Sequence, residues 1–318
     1  MSNPTNITIA TRQSKLALWQ SEFIKSELEK NYPNSKVELA KFVTKGDKIL
    51  DTPLALIGGK GLFTKELEVA MLEKNADLAV HSLKDVPTVF PDGLTLACVT
   101  KRADARDAIL SEKYASIDEL PQNAVVGTTS QRRRMQLLML RPDLTLKDLR
   151  GNINTRIAKL KDGEFDAIIL AKAGIDRLGI NDIVKYITPI SVEQMIPSMG
   201  QAVLGIETLD EPEIVELVQV LRDEEATIEA TIERDFVDTL QGGCQVPIGV
   251  KATIQENGES VDVRAIVGLP DGSEIITDDM IGNVADYKSI GKDLAKSFIN
   301  QGALELLKKA DEMGFQDN

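Results

Sequence analysis

The sequence predicts an α/β protein of three units: two doubly wound α/β domains and a smaller α+β domain with a three-stranded antiparallel sheet. Three observations predict it. Short apolar strands alternate with amphipathic helices from Asn6 onward, the pattern of β-α-β units with parallel strands. The same alternation restarts at Ala124, after a charged crossing. The last third differs: its strand patterns are joined by the turn signals Asn257-Gly258 and Pro270-Asp271-Gly272, and helical periodicity then runs to Met313 with a break near Gly302. A chain of 318 residues is long for one hydrophobic core, which agrees with several domains.

Residues 6–10 form the first predicted strand. Thr11-Arg12-Gln13-Ser14 turns into a helix capped by Ser14, with Leu16, Trp19, Phe23, Ile24 and Leu28 as its apolar stripe. Residues 36–43 form the second strand. Ligands of such sheets bind at the carboxyl ends of the strands, where Arg12 and Ser14 sit. Residues 44–61 are long, polar and glycine-rich, and read as a mobile loop or lid. Gly58-Gly59-Lys60-Gly61 lacks the spacing of a nucleotide phosphate loop. A helix over 62–75 and a buried strand over 77–80 lead to His81-Ser82-Leu83-Lys84-Asp85-Val86-Pro87. That run concentrates polar chemistry at a strand's carboxyl end, so Lys84 and Asp85 are predicted site residues. His81 is the single histidine, which excludes a multi-histidine metal centre. The strand over 93–100 carries Cys98 among apolar neighbours, as a core thiol. Lys101-Arg102-Ala103-Asp104-Ala105-Arg106-Asp107 reads as a hinge into the second domain.

There, a strand over 124–127 meets Thr128-Thr129-Ser130, which caps a helix beginning Gln131-Arg132-Arg133-Arg134. Arginines in a first helical turn oppose the helix dipole, and a bound anion would relieve that conflict. The strand over 145–149 ends in Arg150-Gly151-Asn152, and Asn152 caps a helix containing Arg156. The strand over 166–171 runs into Lys172-Ala173-Gly174-Ile175-Asp176-Arg177. Arg132, Arg133, Arg150, Arg156 and Arg177 therefore lie at or just past strand ends and face one cleft. Their planar forks suit carboxylates, so the expected ligand carries several of them. Residues 198–207 read as a loop and strand returning to the first domain. Helices follow over 213–221 and 224–240, the second capped by Asp223. Gly242-Gly243-Cys244-Gln245-Val246-Pro247 then leads into the C-terminal strands. Taken locally, this stretch favours a helix cap with a small buried cysteine. The alternative is a thiol held on a short tether to carry a group.

A net charge of −13 and 4% aromatics argue against a general nucleic-acid binder, whose phosphate contacts need a basic face, and leave room for local basic pockets for small anions. The first residues have neither the basic nor the apolar region of a secretory signal. No stretch reaches the ~18–20 apolar residues of a membrane helix. Cys98 and Cys244 give neither a disulfide framework nor a zinc pattern. A cytoplasmic enzyme or binding protein is expected.

Ile9-Ala10-Thr11-Arg12-Gln13-Ser14, Gly58-Gly59-Lys60-Gly61-Leu62-Phe63, Val80-His81-Ser82-Leu83-Lys84-Asp85-Val86-Pro87, Arg150-Gly151-Asn152 and Gly242-Gly243-Cys244-Gln245-Val246-Pro247 resemble the hydroxymethylbilane synthase (porphobilinogen deaminase) family. The resemblance runs from about Ile7 into the C-terminal helices. It implies two periplasmic-binding-protein-like α/β domains, 1–100 with 200–220 and 101–199, and a third α+β domain, 221–318. It implies an enzyme that joins four porphobilinogen molecules head to tail with loss of ammonia and releases hydroxymethylbilane. It further implies a dipyrromethane cofactor bound covalently through Cys244. By position, Asp85 matches the catalytic carboxylate. Arg12, Ser14, Gln20, Ser82, Lys84, Thr128, Ser130, Arg132, Arg133, Arg150, Arg156, Gly174 and Arg177 match residues that bind cofactor or substrate, and Lys60 and Phe63 match the lid side. Ala202-Val203 stands where the family usually continues Gly-Ala after Gly-Gln. The expected partners are small molecules only, with no nucleic acid or membrane, and a monomer is expected. The competing reading is a non-catalytic carboxylate-binding protein, since a two-domain cleft also serves plain ligand capture.

Overall fold

Alternating apolar residues and well-placed caps set the first elements. The computed structural model describes residues 6–48, 61–242 and 246–314. Strand β1 (Asn6–Arg12) is followed by helix α1 (Lys15–Asn31), which Ser14 caps by accepting a bond from the Ala17 amide at 3.2 Å. Next come β2 (Lys36–Phe42), the short α2 (Lys45–Lys48), α3 (Lys65–Leu72), β3 (Leu78–Ser82) and β4 (Leu94–Val99). A second series comprises β5 (Asp107–Ser111), β6 (Val125–Gly127), α4 (Gln131–Leu140), β7 (Thr145–Lys147), α5 (Ile153–Lys161), β8 (Ala167–Ala171), α6 (Lys172–Leu178) and β9 (Tyr186–Pro189). The chain then returns through β10 (Leu204–Leu209) and α7 (Pro212–Leu217) before α8 (Glu224–Thr239). It ends with β11 (Ile248–Ile254), β12 (Ser260–Gly268), β13 (Ile275–Asn283), α9 (Tyr287–Asn300) and α10 (Ala303–Gly314).

These strands make two mixed five-stranded sheets, β2-β1-β3-β10-β4 and β7-β6-β8-β5-β9, and one antiparallel three-stranded sheet, β11-β12-β13. Helices cover both faces of each five-stranded sheet. Ile24 and Leu28 of α1 pack on Ile7, Ile9, Val80 and Ile206 of the first, and Leu67 and Met71 of α3 cover Ala10 and Ala79 on its other face. In the second sheet, Leu137 of α4 meets Val126 and Ile169, while Ile157, Leu160 and Ile175 meet Leu110, Ile168 and Leu170. The third sheet rests one face on α8 and α9, where Phe236 and Phe298 meet edge to face at 5.1 Å. Cys98 is buried in the first core, as expected, and burial, only partly opposed by Arg222, pushes its thiol up to about 12.

Two strands were not foreseen. Residues 107–111 and 186–189 pair antiparallel as β5 and β9, and β5 also runs antiparallel to β8. β10 likewise runs antiparallel to β3 and β4, so neither sheet is wholly parallel. The predicted charged crossing thus ends one residue earlier, and Asp107 opens a fully buried strand.

Candidate active site

The two antiparallel strands place the site. β1, β2 and β3 are mutually parallel, so their carboxyl ends share one edge. β10 begins at that edge, where Leu204 pairs with Ser82, and β4 ends there, where Val99 pairs with Gly205. In the second sheet, β6, β7 and β8 end at one edge and β5 begins there, with Asp107 paired to Ala171. Both crossings between the sheets, residues 100–106 and 198–203, therefore run along the edges where ligands of such sheets bind.

On the first sheet's side, Arg12 at the end of β1 forms an ion pair with Asp47 and lies over the Phe63 ring at 4.3 Å. Burial would raise the Asp47 carboxyl, but hydrogen bonds from Arg12 and Thr44 outweigh it and hold it below its ordinary value. Gly46 makes room for that ring, because a Cβ there would stand 2.2 Å from Phe63. Gln20, buried on α1, donates to Ser82 Oγ at 2.8 Å. Leu83–Asp85 forms a 3-10 turn after β3, with Leu83 buried and Asp85 exposed. Lys84 is half-buried, and its ammonium donates to Gln201 Oε1 at 3.3 Å. Burial lowers Lys84 to about 8, with Asp85 the main opposing charge. Lys60 and Cys244, and most of the expected lid, lie outside the described residues.

On the second sheet's side, the anion expected at the start of α4 is supplied by the chain. Asp107 is fully buried and accepts from Arg132 Nη2 at 2.7 Å and from Arg133 Nε and Nη2 at 3.2 and 2.7 Å. Burial would raise its carboxyl, but the two guanidiniums outweigh that and hold it well below the usual range. Arg133 completes its bonds on Ile169 O at 2.9 Å. Arg132 reaches Ile196 O at 2.7 Å, and its buried Nε has no partner. Arg156, on the helix that Asn152 caps, bonds Gly151 O at 2.8 Å; burial and then Arg133 lower it to about 10, against the pull of Asp85. Arg177 reaches Ala202 O at 2.7 Å, and burial lowers it to about 10. Arg150 pairs with Asp148 at 3.1 Å. Thr128 is buried and accepts from the Ser130 amide at 3.3 Å, while Ser130 begins α4 without a side-chain cap bond. Gly174 is buried where α6 meets α1, and a Cβ there would stand 3.0 Å from Ile153 and 3.9 Å from Leu16.

The two sides meet. Asp85 and Lys84 from the first sheet share one electrostatic environment with Arg132, Arg133, Arg156 and Asp107 from the second. Arg12 and Arg150 are engaged locally, by Asp47 and Asp148. Sequence reading missed Asp107 and Gln201. Asp107 looked like one of several hinge charges. Gln201 carries no charge to mark it, yet it is fully buried and bonds Lys84, Asp107 and Ala105 O. His81 is also no site nucleophile: it is buried and bonds Glu207 at 2.9 Å. Among the described residues no cluster of His, Cys, Asp and Glu could hold a metal ion. The arrangement offers cations to carboxylates around one exposed carboxylate.

A family model for the dipyromethane cofactor binding domain of porphobilinogen deaminase matches residues 7–216, and one for the C-terminal domain of porphobilinogen deaminase matches residues 227–300. A porphobilinogen deaminase of Aliarcobacter butzleri is 66% identical over 98% of this chain and 99% of its own. That of Nitratiruptor sp. is 61% identical over 98% and 99%, and that of Sulfurimonas denitrificans 59% identical over 96% and 98%. Among solved structures, a TRAP periplasmic solute binding protein from Desulfovibrio salexigens is similar at a TM-score of 0.43 and 15% identity, over 70% of this chain and 73% of that one.

Proposed function

The chain belongs to the porphobilinogen deaminase family, and from that membership we propose that its cleft joins four porphobilinogen molecules head to tail and releases hydroxymethylbilane by hydrolysis. It is a transferase of tetrapyrrole biosynthesis with a dipyrromethane cofactor. The observation that carries the proposal is the gathering of Lys84, Arg132, Arg133 and Arg156 in one electrostatic environment, with Asp85 acting on Lys84 and Arg156 and Asp107 as the buried anion of Arg132 and Arg133. Each porphobilinogen brings an acetate and a propionate, so a growing chain accumulates negative charge that such a surplus of cations suits. The residues also fit the cofactor's carboxylates. Arg132 Nε is buried without a partner, and an unpaired buried donor of that kind is costly until an acceptor meets it.

In this reading Cys244 would hold the dipyrromethane, which when bound would supply a nucleophilic pyrrole carbon as primer. Asp85 stabilises the positive charge that develops on the substrate's pyrrole nitrogen as ammonia departs, a preorganised electrostatic role. Lys84, Arg12, Arg132, Arg150, Arg156 and Arg177 hold side-chain carboxylates. Arg133 adds charge while its donors remain on Asp107 and Ile169. Ser14, Gln20, Ser82, Thr128 and Ser130 add hydrogen bonds, Gly174 leaves room where α6 meets α1, and Lys60 and Phe63 close the lid side. The domains divide as 1–100 with 200–220, 101–199 and 221–318. The protein acts as a monomer in the cytoplasm; among the described residues no helix is long and apolar enough to cross a membrane.

The rival reading, plain capture of an anion, needs neither Asp85 nor a cofactor. Asp85→Asn tests the two. It should keep the fold, because Asp85 is exposed, and lose about 100-fold or more in turnover, the scale of removing one preorganised electrostatic group. Turnover near that of the wild type removes the role of Asp85. An intact mass equal to the bare sequence, for protein made by a cell that forms porphobilinogen, removes the cofactor reading.

A further inference from the structure

Asp107 lies at the edge where the two sheets face each other, and three side chains converge on its carboxylate. Arg132 Nη2 reaches Oδ2 at 2.7 Å, Arg133 Nη2 and Nε reach Oδ1 at 2.7 and 3.2 Å, and Gln201 Nε2 reaches Oδ1 at 3.1 Å. Asp107 and Gln201 are both fully buried. The amide of Gln201 is fixed by its neighbours. Its nitrogen donates to Asp107 and, at 2.7 Å, to Ala105 O, so its oxygen is left to accept from Lys84 Nζ and Ser198 Oγ, each at 3.3 Å. A buried hydrogen-bond chain thus runs from the arginines of the second sheet, through Asp107 and Gln201, to the lysine beside Asp85 on the first. Gln201 sits on one crossing between the sheets and Asp107 directly follows the other.

We infer that Asp107 is a positioning residue for the carboxylate-binding side of the cleft: it aims Arg132 and Arg133 and, through Gln201, holds the Lys84 ammonium in register with them. This rests on the reading of the cleft as the site of porphobilinogen joining. The geometry separates the two arginines. Every nitrogen of Arg133 is engaged by the chain, so Arg133 acts as charge and as a brace. Arg132 keeps a buried Nε–H without a partner, and Asp107 holds its Nη2 so that this donor stays fixed. Without the carboxylate, two guanidiniums stand side by side in a buried place with no counter-charge, and neither keeps its direction. The Lys84 ammonium meanwhile loses one of its two negative neighbours. The charged groups acting on it are Asp85, Arg133, Asp107 and Arg132.

The test compares Asp107→Asn with the wild type in the full-length enzyme loaded with its cofactor, using porphobilinogen. Thermal unfolding and intact mass report the fold and the cofactor load, and kcat/KM is measured against pH. The expected result is a folded protein whose kcat/KM falls by roughly 100-fold, the scale of a misplaced binding group. The fall should lie mainly in KM. The alkaline limb of the profile should also move to lower pH, because Lys84 releases its proton more easily without Asp107. Folded Asp107→Asn with wild-type KM and an unmoved alkaline limb overturns the inference. If Asp107→Asn does not fold, Gln201→Met decides, since it leaves the Asp107–arginine contacts in place and cuts the link from Asp107 to Lys84, along with the bonds of Gln201 to Ala105 O and Ser198. A raised KM with a displaced alkaline limb in that variant supports the chain of bonds, and a wild-type profile overturns it. A wild-type enzyme that forms no hydroxymethylbilane is a failure of the functional reading instead.

Discussion

Asp85, Lys84 and Asp107 show how differently three charged residues can be used within one cleft. Asp85 is exposed and free to meet a substrate, Lys84 is half-buried beside it, and Asp107 never meets solvent. Burial brings Lys84 to about 8, so it is mostly charged at neutral pH and mostly neutral in mild alkali. On the role proposed for Lys84, the cation that holds a substrate carboxylate is then lost as pH rises through that value. KM for porphobilinogen should climb there, and Lys84→Gln should flatten the climb; a steady-state pH series reads both. Stability responds with the opposite sign. A lysine whose folded value lies below its unfolded one, about 10.4, binds fewer protons when folded, so its unfavourable contribution shrinks as pH rises between the two. An alkaline change in KM therefore cannot be put down to unfolding through Lys84. The Asp107 carboxylate works at the other end: its contribution is complete above about 4 and is lost as acid passes through its depressed value.

Among the elements, three helices start on capping side chains the sequence displays, whereas α4 and α6 start without one and the strands that complete the sheets carry no such mark. Ser14, Asn152 and Asp223 each accept a backbone amide at the start of α1, α5 and α8. For α8 the bond from the Ala226 amide is 2.9 Å, and Asp223 is not among the proposed site residues. Asp223→Ala should therefore lower stability by about 1 kcal/mol, the usual worth of such a cap, and leave kcat/KM unchanged. Denaturant unfolding and a standard assay check both halves of that statement. The crossing before β10 is built differently. Gly200 (φ +62) and Ala202 (φ +70) both take the left-handed conformation, and a Cβ on Gly200 would stand 2.9 Å from Leu83. Only a glycine fits the first place. Ala202 accepts a conformation that disfavours side chains, with its carbonyl bonded by Arg177 and by the Ala103 amide.

Over the whole molecule, one buried ionic group joins the third sheet to the crossings between the other two. Glu233 of α8 is fully buried and pairs with Arg102 at 2.9 Å, while Gly200 N and Ala252 N donate to it at 2.7 and 3.0 Å. Glu229 pairs with Arg102 and Lys251 at 2.8 and 3.1 Å. Arg102 also bonds Gln201 O at 3.0 Å, so this group touches the residue that links Asp107 to Lys84. Removing one partner of a buried ion pair strands the other charge. Glu233→Ala should cost about 3 kcal/mol or more. The third unit should then unfold apart from the first two, which calorimetry would show as a transition splitting or broadening; a single unshifted transition contradicts it.

Local chemistry made much of this protein legible from its sequence. Helix caps, the two turn signals of the third sheet, the return of residues 198–207 to the first sheet and the placing of arginines at strand ends all follow from short-range periodicity and turn preferences. So did the family, through motifs spread along the chain. The tertiary structure decided what those preferences cannot encode. Residues 107–111 and 186–189 become strands because β8 and β5 give them partners, and β10 reverses direction because it enters its sheet from the site edge. The bond between Asp107 and Gln201 joins residues 94 positions apart, and that between Lys84 and Gln201 joins residues 117 apart. A charge in a hinge-like run looks solvated until the fold buries it, and only then does the energy of an unpaired ion dictate which arginines must meet it.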